Sequence, residues 1–429
     1  MVGVAEVLHG KHSGASVELK GWIYRTRTIG GKAFVVLRDA TGVVQVTIAK
    51  DAVSPKAFAA AEKALIESSV IVRGTVVADK RAPGGWEVRA TDFQVVHFAE
   101  KFPIQEDLSE EFLLDIRHLW VRSQKMTTIF RIRDSVFKAV HEYFRSQGFW
   151  EVSPPMITPA GSEGGSTLFE LDYFGKKAYL TQSWQLYAEA LVLAMEKIYY
   201  VGPSFRAEKS RTTRHLTEYW HAEMEQAWAG MAEVLTHAEG VISHVCQVVA
   251  EERPEDVVAM GRTPEFLKAV TPPFEHLTYD EALKILKSKG IEIEWGKDLR
   301  TLEERALTEG KSKPIVVTHY PRVSQAFYKA RDPQHPDLVL GFDVIAGDGV
   351  GEVVGGSERE TDLEVIKKSL IEQGEDPKAY DWYLDSRRYG SVQHAGFGMG
   401  MERLIQWICK LEHIRDAVPF PRTPARASP

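Results

Sequence analysis

The chain has 429 residues, of which 44% are hydrophobic and 26% charged, a composition that excludes a disordered chain, a coiled coil and a single small domain. Only two cysteines are present, Cys246 and Cys409, which excludes a disulfide scaffold and a Cys-rich zinc site. No apolar run reaches the length of a membrane span and the N-terminal segment lacks the apolar core of a signal peptide, so a cytoplasmic protein without membrane contact is expected.

The net charge of −7 is unevenly distributed along the chain. Residues 1–100 carry 13 lysines and arginines against 10 aspartates and glutamates, a balance of +3, which leaves −10 for the remainder. Because lysine and arginine supply the affinity for phosphates, the front of the chain is the part that suits an RNA partner. A difference of this size permits RNA binding without requiring it, since such charges most often describe a solvated surface.

The first hundred residues predict a small β-barrel. Five apolar, β-branched segments are separated by Gly, Asp or Pro breaks and read as strands. Those segments are residues 16–26, 33–39, 43–49, 69–79 and 86–98. A stretch at 54–68 with a Ser-Pro start and helical spacing of its apolar residues predicts one helix between the third and fourth strands. Five strands with one helix are typical of an oligonucleotide-binding (OB) fold.

The middle of the chain predicts a domain boundary near residue 105. Residues 105–121 are polar and acidic and read as a linker between a barrel domain at 1–104 and a second domain at 122–429. That second domain opens with a long amphipathic helix from Arg122 to Gly148, followed by an extended segment with two consecutive prolines.

The second domain then alternates strand-like and helical segments, which predicts a mixed sheet flanked by helices. The segments are residues 177–184, 197–208, 218–228, 338–347 and 351–360, with a closing helix near 398–410. Residues 251–312 are rich in charge and poor in strand signals, so a helical insertion is expected there.

The segment richest in chemistry is residues 204–225, SFRAEKSRTTRHLTEYWHAEME. It places basic and acidic side chains densely between apolar stretches. Guanidinium groups bind phosphate oxygens through paired hydrogen bonds and an aromatic ring stacks on a base, so the segment suits a nucleotide. Read without its neighbours, the segment would be an exposed hairpin of ion pairs.

The order of these residues resembles a known family. FRAExSxTxRHLxEY followed by E-x-E is similar to the second signature motif of class II aminoacyl-tRNA synthetases, in the subgroup that charges aspartate, asparagine and lysine. The first motif is matched by the long helix and FWEVSPPMI up to Pro155, and the third by GFGMGMERLIQWI around Arg403. The resemblance spans essentially the whole chain. It implies an α+β architecture: an anticodon-binding OB barrel, a hinge, and a catalytic domain with an antiparallel sheet flanked by helices, whose first motif builds a homodimer.

The resemblance also implies the residues that bind ATP and act in catalysis. Arg206 would bind the α-phosphate, and Arg403, which follows what reads as a glycine-rich turn, would close the other side of the nucleotide. The remaining expected ATP contacts are Glu208 at the adenine amino group, Arg214 and His215 at the outer phosphates, Tyr219 stacked on adenine, and Glu352. Positioning and charge stabilisation suffice for this chemistry, because no covalent enzyme intermediate is required.

Magnesium is the expected metal. By the resemblance, Glu352 and Asp343 would carry it, and carboxylates are the hard oxygen ligands that Mg²⁺ prefers. Gly355 stands where aspartate enzymes often have a serine that contacts the metal, which makes Glu352 the firmer assignment. The surrounding GDGVGEVVGG is not read as a dinucleotide fingerprint, since no helix opening or βαβ unit follows it.

The amino-acid pocket is similarly implied. Glu163, in a stretch that resembles the family's lid, would hold the substrate α-ammonium together with Ser183 and Gln185. Arg359 would donate to the side-chain oxygen of the substrate and Glu223 would accept from a side-chain amide.

Hydrogen-bond polarity favours asparagine over aspartate as the substrate. Aspartate only accepts hydrogen bonds, whereas asparagine offers an acceptor and a donor. Aspartate enzymes resembling this chain carry a lysine three residues after the glutamine of QSxQ, where this chain has Ala188. A bare carboxylate facing Glu223 would be costly in a buried site. The expected reaction is therefore ATP-dependent ligation of asparagine to its tRNA through an aminoacyl adenylate.

The barrel surface resembles the surface that binds the anticodon in this family. Phe34 would stack on a base, Gln45 would read a base edge, and Arg25 and Arg27 would hold phosphates, as suits single-stranded RNA. Taken singly, such residues are more often core or plain surface. The anticodons for asparagine and aspartate share two bases, so this surface does not separate the two substrates.

Three other functions remain open on sequence alone. One is an aspartate enzyme, including one that charges both tRNAs. The others are a non-catalytic RNA-binding paralogue and a small-molecule ligase that works without tRNA. The presence of Arg206, Glu352, Arg403 and the barrel disfavours the last two.

Overall fold

The computed structural model describes residues 2–104, 108–159, 161, 168–209 and 212–429. The chain divides into two compact units, residues 1–116 and residues 117–429. Within the described ranges, no helix is both long enough and apolar enough to cross a membrane.

The first unit is a closed five-stranded barrel, as predicted. Its strands follow the order β1-β2-β3-β5-β4 around the barrel. They are β1 Ser16–Ile29, β2 Lys32–Arg38, β3 Val43–Ala49, β4 Ser69–Ala78 and β5 Trp86–His97. The helices are α1 Val4–Leu8, α2 Pro55–Lys63 and α3 Glu110–Asp115, and α2 lies between β3 and β4 as the Ser-Pro start indicated. Ser54 caps α2 by accepting from the amide of Ala57.

Buried and more exposed side chains alternate along the barrel strands, so each strand has a face toward the core and an outer face. Val35 and Leu37 on β2, and Val44 and Val46 on β3, are fully buried. Phe34 has the opposite parity and pairs in register with Thr47, while Gln45 pairs with Val36. Because side chains alternate between the faces of a strand, Phe34 and Gln45 share the outer face of the barrel.

The second unit is built on an eight-stranded sheet of order β12-β13-β14-β15-β16-β11-β10-β6. Its strands are β6 Trp150–Glu151, β10 Lys197–Phe205, β11 Glu218–Ala227, β12 Glu275–Thr278, β13 Ile315–Thr318, β14 Gly341–Ala346, β15 Gly351–Glu358 and β16 His394–Gly400. The strands from β13 to β10 pair antiparallel, and the two outermost pairs are parallel. A second sheet of three strands contains β7 Ile157–Thr158, β8 Glu170–Tyr173 and β9 Lys176–Leu180. The sheet is thus antiparallel in its centre and mixed overall.

Helices flank this sheet. They are α4 Arg117–Trp120, α5 Gln124–Ser146, α6 Gln185–Met195, α7 Met231–Glu252, α8 Pro254–Ala259, α9 Pro264–Lys268, α10 Tyr279–Ser288, α11 Thr301–Thr308, α12 Leu363–Glu372, α13 Asp381–Arg388 and α14 Met401–Ile408. The long helix α5 starts at the cap Ser123 and is followed by Gly148 with a positive φ, as its sequence signals predicted. Its buried stripe includes Ile129, Ile132 and Val136.

Two local features differ from the sequence expectation. The stretch 251–312 contains helices α8 to α11, but also strand β12, whose four residues lack an apolar alternation and which pairs with β13 at the sheet edge. The glycine-rich run before Arg403 is strand β16 rather than a turn. Strand β16 pairs with β11 on one side and with β15 on the other, and this pairing holds these glycines in an extended backbone conformation.

Candidate active site

Two joined cavities lie over the central strands of the large sheet. The outer cavity, of about 620 Å³, is lined by most of the expected ATP residues: Arg206, Arg214, His215, Tyr219, Glu352 and Arg403. The inner cavity, of about 120 Å³, is lined by Ser183, Gln185, Glu223, Glu225 and Arg359. Arg206, Asp343 and Glu352 are among the residues that line both, so they lie at the junction of the cavities.

Glycines in β16 make room for the inner cavity. Glu223 and Glu225 lie two residues apart on β11 and pair in register with Gly398 and Gly396. A Cβ on Gly396 would lie 2.1 Å from Glu225 Oε2, and one on Gly398 would lie 3.4 Å from Glu223 Oε1. Any larger residue at 396 would therefore displace the Glu225 carboxylate.

At the junction, two arginines from separate elements approach one acidic residue. Arg403, on α14, donates from Nη1 to the backbone oxygen of Glu352 at 2.6 Å, and the same nitrogen is 3.5 Å from Glu352 Oε2. Arg206 follows β10 and its guanidinium lies 5.8 Å from the ring centre of Tyr219. Glu208 is 4.0 Å from Arg206 but lines neither cavity. Cationic groups and an aromatic ring therefore surround a space large enough for a nucleotide.

Two histidines of the site are neutral at physiological pH. Burial, followed by the charges of Arg403 and Arg214, lowers the pKa of His215 to about 4. Burial, followed by Arg206 and Arg403, lowers the pKa of His221 to about 3. Both rings are therefore neutral hydrogen-bonding groups beside the arginines of the outer cavity.

Arg214 is held by a residue that the sequence reading missed. Its guanidinium pairs with Glu304 of α11, and both side chains are largely buried. Glu304 also accepts from the backbone amide of Glu352 at 3.3 Å. No local signal distinguishes Glu304 among the acidic residues of the charged stretch at 251–312, because only the tertiary fold brings α11 to β15.

The carboxylates of Asp343 and Glu352 converge above Gly355. A Cβ on Gly355 would lie 2.8 Å from Glu352 Oε1 and 3.5 Å from Asp343 Oδ1. Burial and the charge of Glu352 raise the pKa of Asp343 well above its ordinary value. Burial acts on Glu352 too, but Arg403 and Arg206 outweigh it and lower the pKa of that carboxyl. Two carboxyl groups that face the same space, one of them with a pKa raised by its neighbour's charge, suit a hard divalent cation that would neutralise both.

The donor set fits magnesium better than a metal held by protein alone. Among the described residues, no group of three or more His, Cys, Asp or Glu side chains is arranged to hold a metal ion. Mg²⁺ is usually bound by one or two carboxylates together with water and substrate phosphates. The pair of Asp343 and Glu352, next to a nucleotide-sized cavity, matches that pattern.

Glu223, Glu225 and Arg359 form a buried group of charges in the wall of the inner cavity. Glu223 accepts a hydrogen bond from the Ser183 hydroxyl and another from the amide of Trp184 at 3.0 Å. Arg359 donates to both oxygens of Glu225, at 3.0 and 2.9 Å. Arg359 is thus neutralised by Glu225, and Glu223 presents to the same cavity a carboxylate held by Ser183 and by the amide of Trp184.

Ala188 does not line the inner cavity. It is fully buried on α6 in an apolar cluster with Trp184, Val192 and Ile198. The position thus supplies no cation to the cavity, which agrees with the argument against aspartate. Gln185, one turn earlier, does line the cavity.

Several lining residues were absent from the sequence prediction. In the sequence Glu225 is only the second acid of the E-x-E motif, and its pairing with Arg359 depends on strands β11 and β15 meeting β16. His221 and Lys329 line both cavities. The strand parity of His221 with Glu223 could have indicated it, whereas Lys329 lies in a segment without a motif. Glu163 lies outside the described residues.

The barrel carries the expected RNA-binding residues on its outer surface. The guanidinium of Arg27 lies 5.1 Å from the ring centre of Phe34, and that of Arg25 lies 5.5 Å from the ring centre of Tyr24. Gln45 donates from Nε2 to Glu87 at 3.0 Å. An aromatic ring beside arginines and an ordered amide is an arrangement that suits unpaired bases.

Comparisons with known proteins agree with this geometry. Residues 109–424 match the family described as tRNA synthetases class II (D, K and N), and residues 17–96 match the OB-fold nucleic acid binding domain. The two matches correspond to the catalytic unit and to the barrel.

Individual relatives cover the whole chain. The asparagine–tRNA ligase of Thermococcus gammatolerans is 48% identical over 97% of this chain and 96% of its own length. A crystal structure of asparaginyl-tRNA synthetase from Pyrococcus horikoshii, complexed with asparaginyl-adenylate, superposes with a TM-score of 0.96 at 46% identity, covering 100% of this chain and 99% of that one. An aspartyl-tRNA synthetase from Entamoeba histolytica superposes with a TM-score of 0.85 at 25% identity, covering 100% and 92%.

Proposed function

The chain belongs to the asparagine–tRNA ligases among the class II aminoacyl-tRNA synthetases, and we propose that its two joined cavities hold ATP and asparagine during the first step of the reaction. The observation that carries this assignment is the junction: a nucleotide-sized cavity and a small polar cavity meet at Arg206, Asp343 and Glu352. An adenylate has its phosphate between its nucleoside and its amino acid, so a molecule spanning both cavities has its phosphate at that junction.

In this step a carboxylate oxygen of asparagine attacks the α-phosphorus and pyrophosphate leaves. Arg206 at the junction stabilises the negative charge that develops on the α-phosphate, and Arg403 holds the other side of the nucleotide. Tyr219 stacks on adenine. The proposed contact of Glu208 with the adenine amino group rests on the motif alone, because Glu208 lines neither cavity. Arg214 and the neutral His215 bind the outer phosphates, with Glu304 fixing the guanidinium of Arg214.

Magnesium is the metal that the site suits. Glu352 and Asp343 would hold it, and when bound it neutralises charge on the phosphates of ATP. The convergence of the two carboxylates above Gly355 supports this assignment.

The inner cavity favours asparagine by its charge. Glu223, held by Ser183 and the amide of Trp184, lines the cavity as a hydrogen-bond acceptor, and Arg359 is already neutralised by Glu225. The carboxamide of asparagine donates to a carboxylate and accepts from Arg359, whereas the carboxylate of aspartate opposes Glu223. Ser183, Gln185 and Glu163 are proposed to hold the α-ammonium. The greater identity to the asparaginyl enzymes than to the aspartyl enzyme also favours asparagine.

The second step joins the amino acid to tRNA. A ribose hydroxyl of the terminal adenosine attacks the acyl carbon of the adenylate and AMP leaves. The barrel is proposed to bind the anticodon, with Phe34 stacking on a base, Gln45 contacting a base edge, and Arg25 and Arg27 contacting phosphates.

A homodimer and a cytoplasmic location complete the proposal. Strand β6 is the edge of the large sheet and its Trp150 is 63% exposed, which suits an interface at the first motif. Cys246 and Cys409 are both free and buried, as suits a reducing compartment. Light scattering of the purified chain gives the oligomeric state.

Amino-acid-dependent exchange of pyrophosphate into ATP tests the activity. Exchange is expected with asparagine and magnesium, and esterification of tRNA is expected when tRNA is added. Exchange with aspartate at a rate equal to that with asparagine would contradict the proposed discrimination. Absence of exchange with both amino acids would contradict the proposed reaction itself.

A further inference from the structure

The carboxylate of Glu189 lies behind the amino-acid cavity without lining it. Glu189 is on α6 and its side chain has no exposed surface. It accepts hydrogen bonds from Tyr383 Oη at 2.9 Å and from Arg387, and His394 Nε2 lies 3.2 Å away. The fourth contact is Gln185 Nε2 at 2.9 Å, one helical turn earlier. Elements distant in sequence therefore converge on one buried acid.

This acid is ionised. Burial alone would raise the pKa of Glu189, but the charges of Arg387 and His394, with the hydrogen bond from His394, outweigh burial and hold the pKa far below its ordinary value. The side chain of Arg387 also has no exposed surface, so the two groups form a buried ion pair. An ionised carboxylate accepts hydrogen bonds and donates none.

The orientation of the Gln185 amide follows from that chemistry. Its carbonyl oxygen cannot face Glu189, because two acceptors would then oppose each other. The NH₂ group must face Glu189, which leaves Oε1 as the group available to the cavity that Gln185 lines. An acceptor at that place suits a substrate ammonium and is unfavourable for a substrate carboxylate.

We propose that Glu189 is a positioning residue, which holds Gln185 as a hydrogen-bond acceptor for the α-ammonium of the amino acid. The proposal rests on the proposed function, in which Gln185 contacts that ammonium. Glu189 touches no substrate and acts only through the amide of Gln185. The buried pair with Arg387 fixes the place of the carboxylate, and the carboxylate fixes the amide.

Reciprocal exchange of the two side chains tests this role. Glu189→Gln removes the acceptor-only partner, so the amide of Gln185 is no longer held in one orientation. Gln185→Glu places two carboxyl groups against each other. The double variant Gln185→Glu, Glu189→Gln restores a donor at 189 facing an acceptor at 185, and leaves the second oxygen of residue 185 for the ammonium.

The measurement is the KM for asparagine and the KM for ATP in pyrophosphate exchange with the full chain. Each single variant is expected to raise the asparagine KM by about tenfold or more while the ATP KM stays within about threefold of wild type. The double variant is expected to return the asparagine KM to within about threefold of wild type. Glu364→Gln, the same change at an exposed position on α12, is the matched control and is expected to alter neither KM.

The proposal is overturned if Glu189→Gln leaves the asparagine KM unchanged, or if the double exchange fails to recover it. A purely structural role for Glu189 would change both KM values together and would not be rescued. If Glu189→Gln does not fold because Arg387 loses its partner, the double variant shares that defect and Glu189→Asp takes the place of both. Aspartate keeps a carboxylate for Arg387 but is one methylene shorter, which withdraws that carboxylate from the amide of Gln185, and an unchanged asparagine KM in a folded Glu189→Asp variant refutes the proposal. Absence of asparagine-dependent exchange in the wild type would instead refute the proposed function.

Discussion

Arg359→Met is expected to destabilise the catalytic unit strongly, by leaving the carboxylate of Glu225 buried without its partner. Arg359 donates two hydrogen bonds to Glu225, at 3.0 and 2.9 Å, and the two side chains are 4% and 1% exposed. Methionine fills much of the same volume but donates nothing. Breaking a buried ion pair by removing one partner costs about 3–5 kcal/mol.

The pH dependence gives the same prediction a second, independent readout. Burial raises the pKa of Glu225 above its ordinary value, and Arg359 opposes that rise. A carboxyl with a raised pKa in the folded state favours folding when protonated, so its cost appears as pH rises and is relieved as pH falls. Loss of Arg359 should therefore raise the pKa of Glu225 further. The stability deficit of Arg359→Met should therefore shrink between about pH 8 and about pH 5.5.

Urea unfolding of the full chain without ligands measures the free energy difference. The matched control is Arg388→Met on α13, because Arg388 pairs with Asp381 and Asp385 on the surface. Exposed pairs contribute about 0–1 kcal/mol, so the control should change stability little. A deficit below about 1 kcal/mol for Arg359→Met, or a deficit that does not change with pH, would refute the reasoning from a buried pair.

Three further outcomes are expected. Arg206→Ala should abolish adenylate formation in the exchange assay while the circular dichroism spectrum stays that of the folded chain. Exchange at the wild-type rate in this variant would contradict the proposed contact between Arg206 and the α-phosphate. Glu304→Gln should raise the KM for ATP and leave that for asparagine unchanged, since Glu304 holds Arg214; equal effects on both substrates would show that Glu304 supports the fold only. Because burial lowers the pKa of His221 to about 3, the unfolded chain binds a proton below about pH 6.5 that the folded chain does not. Stability should accordingly fall as pH drops from about 6.5, and His221→Gln should reduce that slope in urea titrations at several pH values, whereas an unchanged slope would contradict the assignment.

Much of the fold could be predicted from local sequence patterns. The five barrel strands and the helix between β3 and β4 are confirmed, because alternation and the Ser-Pro cap act over a few residues. Helix α5 is likewise confirmed, from its apolar stripe and Gly148. Strand β12 escaped prediction, since its pairing with β13 comes from the edge of a distant sheet and not from its own residues.

The glycine-rich run before Arg403 is a second case in which the local sequence pattern predicted the wrong element. Glycines in a row indicate a turn when only neighbours in the sequence are considered. Here Gly396 and Gly398 lie in a strand because β16 pairs with β11 and β15, and a side chain at Gly396 would meet the Glu225 carboxylate at 2.1 Å. The reason for glycine is a close approach between strands, which no local pattern contains.

The identity and order of the reactive groups could be read from the sequence. Arg206, Tyr219 and Glu223 belong to one hairpin, motif order indicated the family and the nucleotide, and Ala188 with the polarity of Glu223 indicated the preference for asparagine. Which charges are neutralised and which face the cavities follows only from the folded chain. Glu225, Glu189 and Glu304 are all glutamates of similar appearance in the sequence. Their partners Arg359, Arg387 and Arg214 lie 134, 198 and 90 residues away in the sequence. Each pair therefore forms only when the chain folds, which brings the two charges together and excludes water around them.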